Sequence, residues 1–527
     1  MEGAGGPLRE IVIVGGGTAG WMSALWLARS AAFAQARVTL VEAPDIGTVG
    51  VGEATVPTLL DFLDATGIGL GEVVRECGAT LKYGIRFEDW HRPGEHYWHP
   101  FGAGGGSIDG IPVFQHWLRL VQGGVKMPPL SAYARHVHLA ERGLGHRPLA
   151  RESGLGRQRS YALHLDAGRF AALLRTRALA AGVTHLRHRV DAVETRADGA
   201  AITRLRLDDG PTLSADLFVD CTGFAARLHQ GALDGRFEPC ETLLCDRAVV
   251  APLPEDPAPA PFTRSIAQRA GWIWRIPLGH RTGCGHVHAS AFESAEGAVD
   301  RLVAVTGVDP ATVTELSMRV GWRPRPWLGN CVAIGLAAGF TEPLESTGIH
   351  LVQRGLELLS AYAPDRGDCS ARQAAYNARM CTAFEEVRDF LLLHYVLSAR
   401  EEPFWVAARA VDRPDTFVRR LALFAEAGLV DPEPGSLFRA SSWCAVHAGN
   451  GHLPRAAWAS LSSVPEAASL QGLDEIRRAC ERLADAMPSH RALLDALAAV
   501  GPQKDSHGEG LRHIPGPRDA TLSSLKE

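Results

Sequence analysis

A glycine loop close to the N-terminus is the feature that most constrains the fold of this chain. Residues 11–14 (IVIV) form a continuous apolar run, and Gly15-Gly16-Gly17-Thr18-Ala19-Gly20 follows it directly. A helix-forming stretch then leads to a second apolar run at 37–41, which ends in Glu42. A G-x-G-x-x-G loop between a strand and a helix, with an acid about 20 residues further on, is typical of a βαβ dinucleotide-binding unit. The pattern predicts a Rossmann-like α/β module whose glycines admit a pyrophosphate and whose Glu42 binds a ribose hydroxyl.

Two later segments favour FAD over NAD as the dinucleotide. A strand pattern at 215–220 runs into Cys221-Thr222-Gly223, and another at 331–335 leads to Ala338-Gly339. Such returns to one cofactor are typical of flavoproteins in which the flavin lies across a discontinuous domain. No second G-x-G-x-x-G follows a strand, so we expect the chain to lack its own means of reducing a flavin.

Composition and charge exclude several other classes of protein. A net charge of −5 offers no basic footprint for nucleic acid. The longest apolar runs fall far short of the roughly 20 residues of a membrane span, and we expect no secretory signal at the N-terminus. The ten cysteines are scattered singly, which predicts reduced thiols in a cytoplasmic protein.

The length of 527 residues predicts more than one module. From about Ala371 the pattern becomes helical, with apolar residues at helical spacing in 383–397 and further helices at 417–427 and 473–497. We expect an FAD-binding module at 1–360, discontinuous and with substrate-wall insertions around 85–155. A mostly helical substrate module would follow at 361–502, and 503–527 would be a mobile tail.

Two tryptophans, Trp272 and Trp274, lie in the sequence GWIWRIPL. At strand spacing they project from one face of a sheet. One interpretation is an ordinary aromatic core strand; the other is a wall of indole rings that has a functional purpose. The segment alone leaves both open.

Two ionisable residues are candidates for chemistry. Lys82 is the only charged residue between Glu76 and Arg86, so it is either a surface lysine on a strand edge or a buried amine with a lowered pKa. Glu345 follows Pro343-Leu344 and begins the turn Glu345-Ser346-Thr347-Gly348. It can cap the next helix, or stabilise a cationic intermediate and take its proton. The two roles are compatible.

Several of these motifs, taken in chain order, resemble the flavin-dependent tryptophan halogenase family from about residue 10 to about residue 450. The double-Trp motif and the Glu-Ser-Thr-Gly turn together are the specific part of the match. The resemblance is carried by Gly15–Gly20 with Trp21, Gly52-Glu53-Ala54-Thr55-Val56-Pro57, the Lys82 segment, Trp272-Ile273-Trp274-Arg275-Ile276-Pro277 and Pro343-Leu344-Glu345-Ser346-Thr347-Gly348-Ile349.

The resemblance implies a reaction divided between two compartments. In that family FADH2, delivered by a separate NAD(P)H-dependent flavin reductase, reacts with O2, and chloride or bromide is oxidised to hypohalous acid. The acid then passes through a tunnel to an aromatic substrate. Trp272 and Trp274 would keep the substrate away from the flavin by bulk alone. Lys82 would place the hypohalous acid, and Glu345 would act on the ring.

The same resemblance assigns further residues. Thr347 and Gly348 would bind halide through backbone N–H groups at a helix start. His99 and Phe101 would form a wall for the substrate, with Phe101 stacking on the aromatic ring. The flavin would be lined by Gly16, Ala19, Glu53, Ala54, Val190, Leu336 and Ile349.

The sequence departs from the family at the substrate end. Family members that take free tryptophan carry a Tyr-Tyr-Cys stretch followed by a Glu, which together bind the amino-acid end of the substrate. Here the stretch reads Ser442-Trp443-Cys444, and no acid lies between Cys444 and Glu466. A cationic α-amine would lack a counter-charge, so we expect an indole or another electron-rich aromatic without a free zwitterion.

The sequence therefore predicts an FADH2- and O2-dependent halogenase of a small aromatic substrate. The alternative enzyme is a flavin-dependent aromatic hydroxylase, which would have little use for the tryptophan pair or for Lys82. A third interpretation is a flavin-binding protein without catalysis. We expect no nucleic-acid or membrane partner, and leave a homodimer open.

Overall fold

The computed structural model of the chain describes residues 5–45, 52–102, 104–146, 160–432 and 435–500. The predicted tail at 503–527 lies outside these ranges. The strands are β1 (Glu10–Val14), β2 (Arg37–Val41), β3 (Gly52–Ala54), β4 (Thr80–Lys82), β5 (Gly84–Glu88), β6 (His96–Pro100), β7 (Ser107–Ile108), β8 (Ile111–Pro112), β9 (Ala162–Asp166), β10 (Thr184–Leu186), β11 (Val190–Thr195), β12 (Ile202–Leu207), β13 (Thr212–Leu213), β14 (Leu217–Asp220), β15 (Glu238–Pro239), β16 (Arg247–Leu253), β17 (Thr263–Gln268), β18 (Gly271–Pro277), β19 (Thr282–His288), β20 (Thr314–Ser317), β21 (Gly321–Trp322), β22 (Trp327–Leu328), β23 (Cys331–Ala333) and β24 (Gly339–Phe340). The helices are α1 (Thr18–Arg29), α2 (Leu59–Thr66), α3 (Leu70–Cys77), α4 (Val113–Gln122), α5 (Arg135–Glu141), α6 (Ala167–Ala180), α7 (Ala295–Thr306), α8 (Gly348–Ala361), α9 (Ser370–Val396), α10 (Pro403–Arg409), α11 (Asp415–Ala427), α12 (Ala440–Gly449), α13 (Glu466–Asp485) and α14 (His490–Ala498).

A mostly parallel sheet of six strands, in the order β10-β2-β1-β14-β23-β22, confirms the predicted α/β class. After Glu10, strand β1 is apolar and buried, because both faces of the sheet are covered there. Ile11 and Ile13 belong to the main core with α1. Val12 and Val14 belong to a second cluster, together with residues of β11 and β12. The strands predicted near 215–220 and 331–335 are β14 and β23, and β14 lies beside β1.

A second sheet of seven strands carries the double-Trp motif and the predicted substrate wall. Its order is β20-β16-β19-β18-β17-β5-β6, with β18 near the middle and β6 at one edge. All of its pairs are antiparallel except β5 with β17. A small antiparallel sheet, β3-β9-β4, packs beside β18 and carries Glu53 and Lys82 on its two outer strands.

The C-terminal part is helical, as predicted, but one predicted helix was wrong. Residues 383–397 fall largely within the long helix α9, and 417–427 within α11. The single helix predicted at 473–497 is instead two helices, α13 and α14. The chain breaks there because Pro488 cannot donate a helical hydrogen bond. Ser489 then caps α14 by accepting from the amide of Ala492.

No helix within the described ranges is both long and apolar enough to cross a membrane.

Candidate active site

Lys82 and Glu345 are brought to one buried place by the turn that precedes α8. Lys82 ends β4 and is fully buried. Its Nζ donates hydrogen bonds to the carbonyl oxygen of Thr55 at 2.9 Å and to the hydroxyl of Ser346 at 2.8 Å. Ser346 adopts a φ of 62°, unusual for a residue with a Cβ. Because Ser346 follows Glu345 directly, this turn places the amine and the carboxylate at the same site.

The amine of Lys82 is strongly perturbed. Burial lowers its pKa from 10.5 to about 7, although the nearby charge of Glu345 acts in the opposite direction. The ring centroid of Phe101 lies 5.1 Å from Nζ. Near neutral pH a substantial fraction of this amine is therefore uncharged, and it can donate a hydrogen bond or act as a nucleophile.

Glu345 is held between two histidines. Its Oε2 lies 2.8 Å from Nδ1 of His99, and its Oε1 lies 2.9 Å from Nε2 of His394. Burial alone would raise the pKa of Glu345, but the charge of His99 and the contact with His394 outweigh it and lower the pKa to about 2. Glu345 is therefore an anion that can stabilise a cation or accept a proton.

The capping interpretation of Glu345 is not what the structure shows. Its side chain faces the histidines, and Thr347 is the N-cap residue of α8, without a side-chain capping bond. His394 was missed in the sequence. It lies three residues after Leu391, on the predicted apolar face of α9, and a polar residue within that run was the available signal.

His99 and Trp443 join one cluster of aromatic rings. The ring of Phe390 lies 5.2 Å from His99 and 5.3 Å from Trp443. Phe438 stacks on Phe390 at 3.8 Å, and Phe101 meets His99 edge-on at 6.0 Å. These five rings form a continuous aromatic surface beside Glu345. Sequence reasoning missed Phe390 and Phe438. Ser442, the predicted neighbour of Trp443, is half-buried on α12.

Trp272 and Trp274 are both buried on β18, with ring centroids 6.0 Å apart. Gly285 on β19 makes room for one of them, because a Cβ there would lie 2.2 Å from the Trp274 ring. The strand is tied to the Lys82 strand: the hydroxyl of Thr80 donates to the carbonyl oxygen of Pro277 at 2.6 Å. The double-Trp strand thus lies alongside the strand that carries the amine.

The glycine loop fits the pyrophosphate of a dinucleotide such as FAD. Gly15 has a φ of 111°, and a Cβ on Gly20 would lie 1.8 Å from the Gly15 carbonyl oxygen. A Cβ on Gly16 would collide with the carboxylate of Glu42 at 2.2 Å. Gly17 is the N-cap residue of α1, and a Cβ on it would meet no atom within 4 Å. There is therefore open space beside the N-terminus of α1, and such a helix start suits an anion.

A later turn returns to this loop, as the sequence predicts. A Cβ on Gly335 would lie 2.7 Å from the Cβ of Ala19, so the turn that carries the exposed Leu336 lies against the loop. The carboxylate Oε2 of Glu42 lies 2.9 Å from Nε2 of His185. Of the other predicted flavin residues, Glu53 and Ala54 lie on β3, Val190 begins β11, and Ile349 and Gly348 open α8.

A glycine loop that fits FAD, a buried amine and carboxylate at one site, and a strand with two buried tryptophans together define a flavin-dependent halogenase. Comparison with known families agrees, because the family described as tryptophan halogenase matches residues 10–466. The chain belongs to this family. Its members use FADH2, O2 and halide, and require a separate source of reduced flavin.

Individual relatives match over most of the chain. BrvH, a flavin-dependent halogenase from Brevundimonas sp. BAL3, is 38% identical with a TM-score of 0.87, covering 93% of this chain and 99% of that one. The tryptophan 6-halogenase SttH from Streptomyces toxytricini is 34% identical with a TM-score of 0.85, covering 93% and 100%. The tryptophan 7-halogenase RebH of Lentzea aerocolonigenes is 35% identical over 511 residues, covering 89% and 94%.

Proposed function

We propose that this enzyme halogenates an indole or a comparably electron-rich ring that carries no free amino-acid group, with chloride or bromide as the halide. The observation that carries the proposal is the joint placement of Lys82 and Glu345 in one buried site beside an aromatic surface. Several named relatives are tryptophan halogenases, but this chain has Ser442 and Trp443 and no acid between Cys444 and Glu466. The ammonium group of free tryptophan would lack a counter-charge there.

The reduced flavin, when bound, would activate O2, and the activated oxygen would oxidise halide to hypohalous acid. Lys82 positions that acid by hydrogen bonding, or forms a haloamine in which halogen replaces an N–H hydrogen and water leaves. Attack by the ring on the electrophilic halogen creates a cation. Glu345, kept anionic by His99 and His394, stabilises this cation and accepts the proton that leaves the ring.

The remaining predicted residues take supporting roles in this proposal. Trp272 and Trp274 exclude the aromatic substrate from the flavin, while His99, Phe101, Ser442 and Trp443 bound the substrate. The backbone amides of Thr347 and Gly348 hold the halide. Flavin contacts come from Gly15, Gly16, Gly17, Ala19, Gly20, Glu42, Glu53, Ala54, Val190, Leu336 and Ile349.

The supply of FADH2 is proposed to come from an NAD(P)H-dependent flavin reductase, by diffusion or transient contact. We also propose a cytoplasmic location, which the ten cysteines support because each is a free thiol.

The decisive experiment supplies the enzyme with a flavin reductase, NADH, FAD and bromide, and compares indole with L-tryptophan by product mass. We expect a bromine mass shift on indole. Lys82→Ala should abolish it while FAD binding is retained, which separates catalysis from mere flavin binding. Addition of oxygen instead of bromine would favour a hydroxylase. Tight binding and regiospecific turnover of tryptophan would contradict the substrate class.

A further inference from the structure

A row of buried side chains leads away from Glu345 on the side of His394. Nε2 of His394 lies 2.9 Å from Oε1 of Glu345. The other ring nitrogen, Nδ1, lies 2.7 Å from the hydroxyl of Tyr97 on β6. Tyr97 is in turn hydrogen-bonded to the side chain of Asn450, the residue that ends α12. The row therefore joins three separate elements, and all four of its side chains are buried.

The chemistry of these groups determines the direction of each hydrogen bond. Burial raises the pKa of Tyr97 well above its ordinary value, so the phenol keeps its proton. The amide nitrogen of Asn450 donates to the carbonyl oxygen of Val446 at 2.8 Å, which orients this amide. Its bond to Tyr97 lowers the pKa of the phenol, as a donor to the phenol oxygen does. The phenol hydrogen is thus directed to Nδ1 of His394. Because a neutral imidazole has one donor and one acceptor nitrogen, Nε2 carries the hydrogen that faces Glu345.

Phe87 holds the two rings of this row close to one plane. It lies opposite Tyr97 in the pairing of β5 with β6. Its ring stacks on Tyr97 at 4.9 Å and on His394 at 4.4 Å. The planes of Tyr97 and His394 consequently differ by only 18°. The lone pair of an imidazole nitrogen lies in the ring plane, so packing alone brings the hydroxyl to face it.

The charge of His394 decides how much negative charge remains on Glu345. An imidazolium carries a hydrogen on both nitrogens, but Nδ1 already accepts the hydrogen of Tyr97, so Tyr97 opposes protonation. Burial and the charge of His99 lower the pKa of His394, whereas Glu345 raises it. His447 is a further titratable group within electrostatic reach of His394. The charge of His99 already acts on Glu345. A second cation at His394 would therefore leave an excess of positive charge where the ring cation forms.

We propose that Tyr97 is a positioning residue, which holds His394 as a neutral donor to Glu345. Asn450 orients Tyr97 for this purpose. Glu345 then keeps the negative charge that attracts the ring cation and takes its proton. The inference rests on the proposed function, and specifically on the role given there to Glu345.

Tyr97→Phe keeps the ring that stacks on Phe87 and removes only the hydroxyl. Nδ1 of His394 is then free to take a proton, so the pKa of His394 should rise. We expect the acidic limb of kcat to move to higher pH by about one unit. Relative to wild type, kcat should be about tenfold lower at pH 6 and nearly equal at pH 9, with KM unchanged. The ratio to wild type is used because titration of Lys82 affects both enzymes.

These profiles are measured with whichever of indole and L-tryptophan the enzyme brominates. Tyr376→Phe is the matched control, because Tyr376 lies on the same helix as His394 and its buried hydroxyl has no hydrogen-bond partner among the described residues. Its kcat ratio should not vary with pH. A ratio that is equally flat in Tyr97→Phe would overturn the inference.

His394→Gln supplies a second test. The glutamine amide can donate to Glu345 in place of Nε2 and cannot be protonated near neutral pH. In this background Tyr97→Phe should change kcat by less than about twofold at pH 6. The same tenfold loss as in the wild-type background would contradict the inference.

Nitrogen-15 NMR of histidine-labelled enzyme tests the inference without halogenation. The signal of His394 is identified by its absence in His394→Gln. It should show a hydrogen on Nε2 alone from pH 6 to pH 9, and an imidazolium at pH 6 in Tyr97→Phe. A hydrogen on Nδ1 in the wild type would refute the inference. Failure of the proposed function would appear differently, as a near-normal kcat in Glu345→Gln.

Discussion

The buried amine of Lys82 makes the stability of this protein depend on pH. Its pKa is about 7 in the folded chain, against an ordinary value of 10.5. Between these values the unfolded chain holds a proton that the folded chain lacks, so the free energy of unfolding rises with pH. The difference between the two pKa values corresponds to about 5 kcal/mol. Below pH 7 the whole of this amount opposes folding, and above about 10.5 none of it does.

Lys82→Met removes the charge and keeps an unbranched side chain of similar length. It also removes two hydrogen bonds, which adds an offset that does not vary with pH. Relative to wild type, the free energy of unfolding of this variant should therefore decline by about 1.4 kcal/mol for each pH unit above 7. Urea denaturation at pH 6, 7, 8 and 9 measures this decline. Lys126→Met is the control, because Lys126 is exposed.

The outcome that refutes this reasoning is a difference in stability that stays constant from pH 6 to pH 9. The amine would then keep one charge state in the folded chain across that range. Lys82→Met should also abolish halogenation at every pH, because a thioether can neither hydrogen-bond hypohalous acid as a donor nor form a haloamine.

Three further substitutions probe the site. Glu345→Gln cannot accept a proton, so kcat should fall by about 10²-fold or more. The change in FAD fluorescence on binding should be the same as in wild type, and a near-normal kcat would contradict the role of Glu345. Ser346→Ala removes the hydroxyl bonded to Lys82, a loss of about 1–3 kcal/mol, and steady-state kinetics should show kcat reduced about tenfold or more, whereas unchanged kinetics would show that this bond is not needed. Gly285→Ala would place a Cβ 2.2 Å from the Trp274 ring and displace that ring. More O2 should then be consumed without halogenation, which an assay of released hydrogen peroxide measures. An unaltered ratio of halogenated product to O2 consumed would argue against a tryptophan barrier.

Local chemistry explains which parts of the fold could be predicted. The βαβ unit was predicted because its glycines, apolar strands and acid lie within about 30 residues, and each constrains its neighbours directly. Trp272 and Trp274 were placed on a strand for the same reason. The break between α13 and α14 was missed because the apolar spacing on both sides of Pro488 is helical, and that spacing does not report where a helix ends.

The amino-acid sequence alone was enough to establish the flavoprotein class, the halogenase family and the candidacy of Lys82 and Glu345, since these rest on short motifs. The environment of those two groups was decided by the tertiary structure. His99 approaches Glu345 across 246 positions and Ser346 approaches Lys82 across 264, and no local pattern encodes such contacts. The opposite protonation behaviour of the amine and the carboxylate follows from burial and from these distant partners.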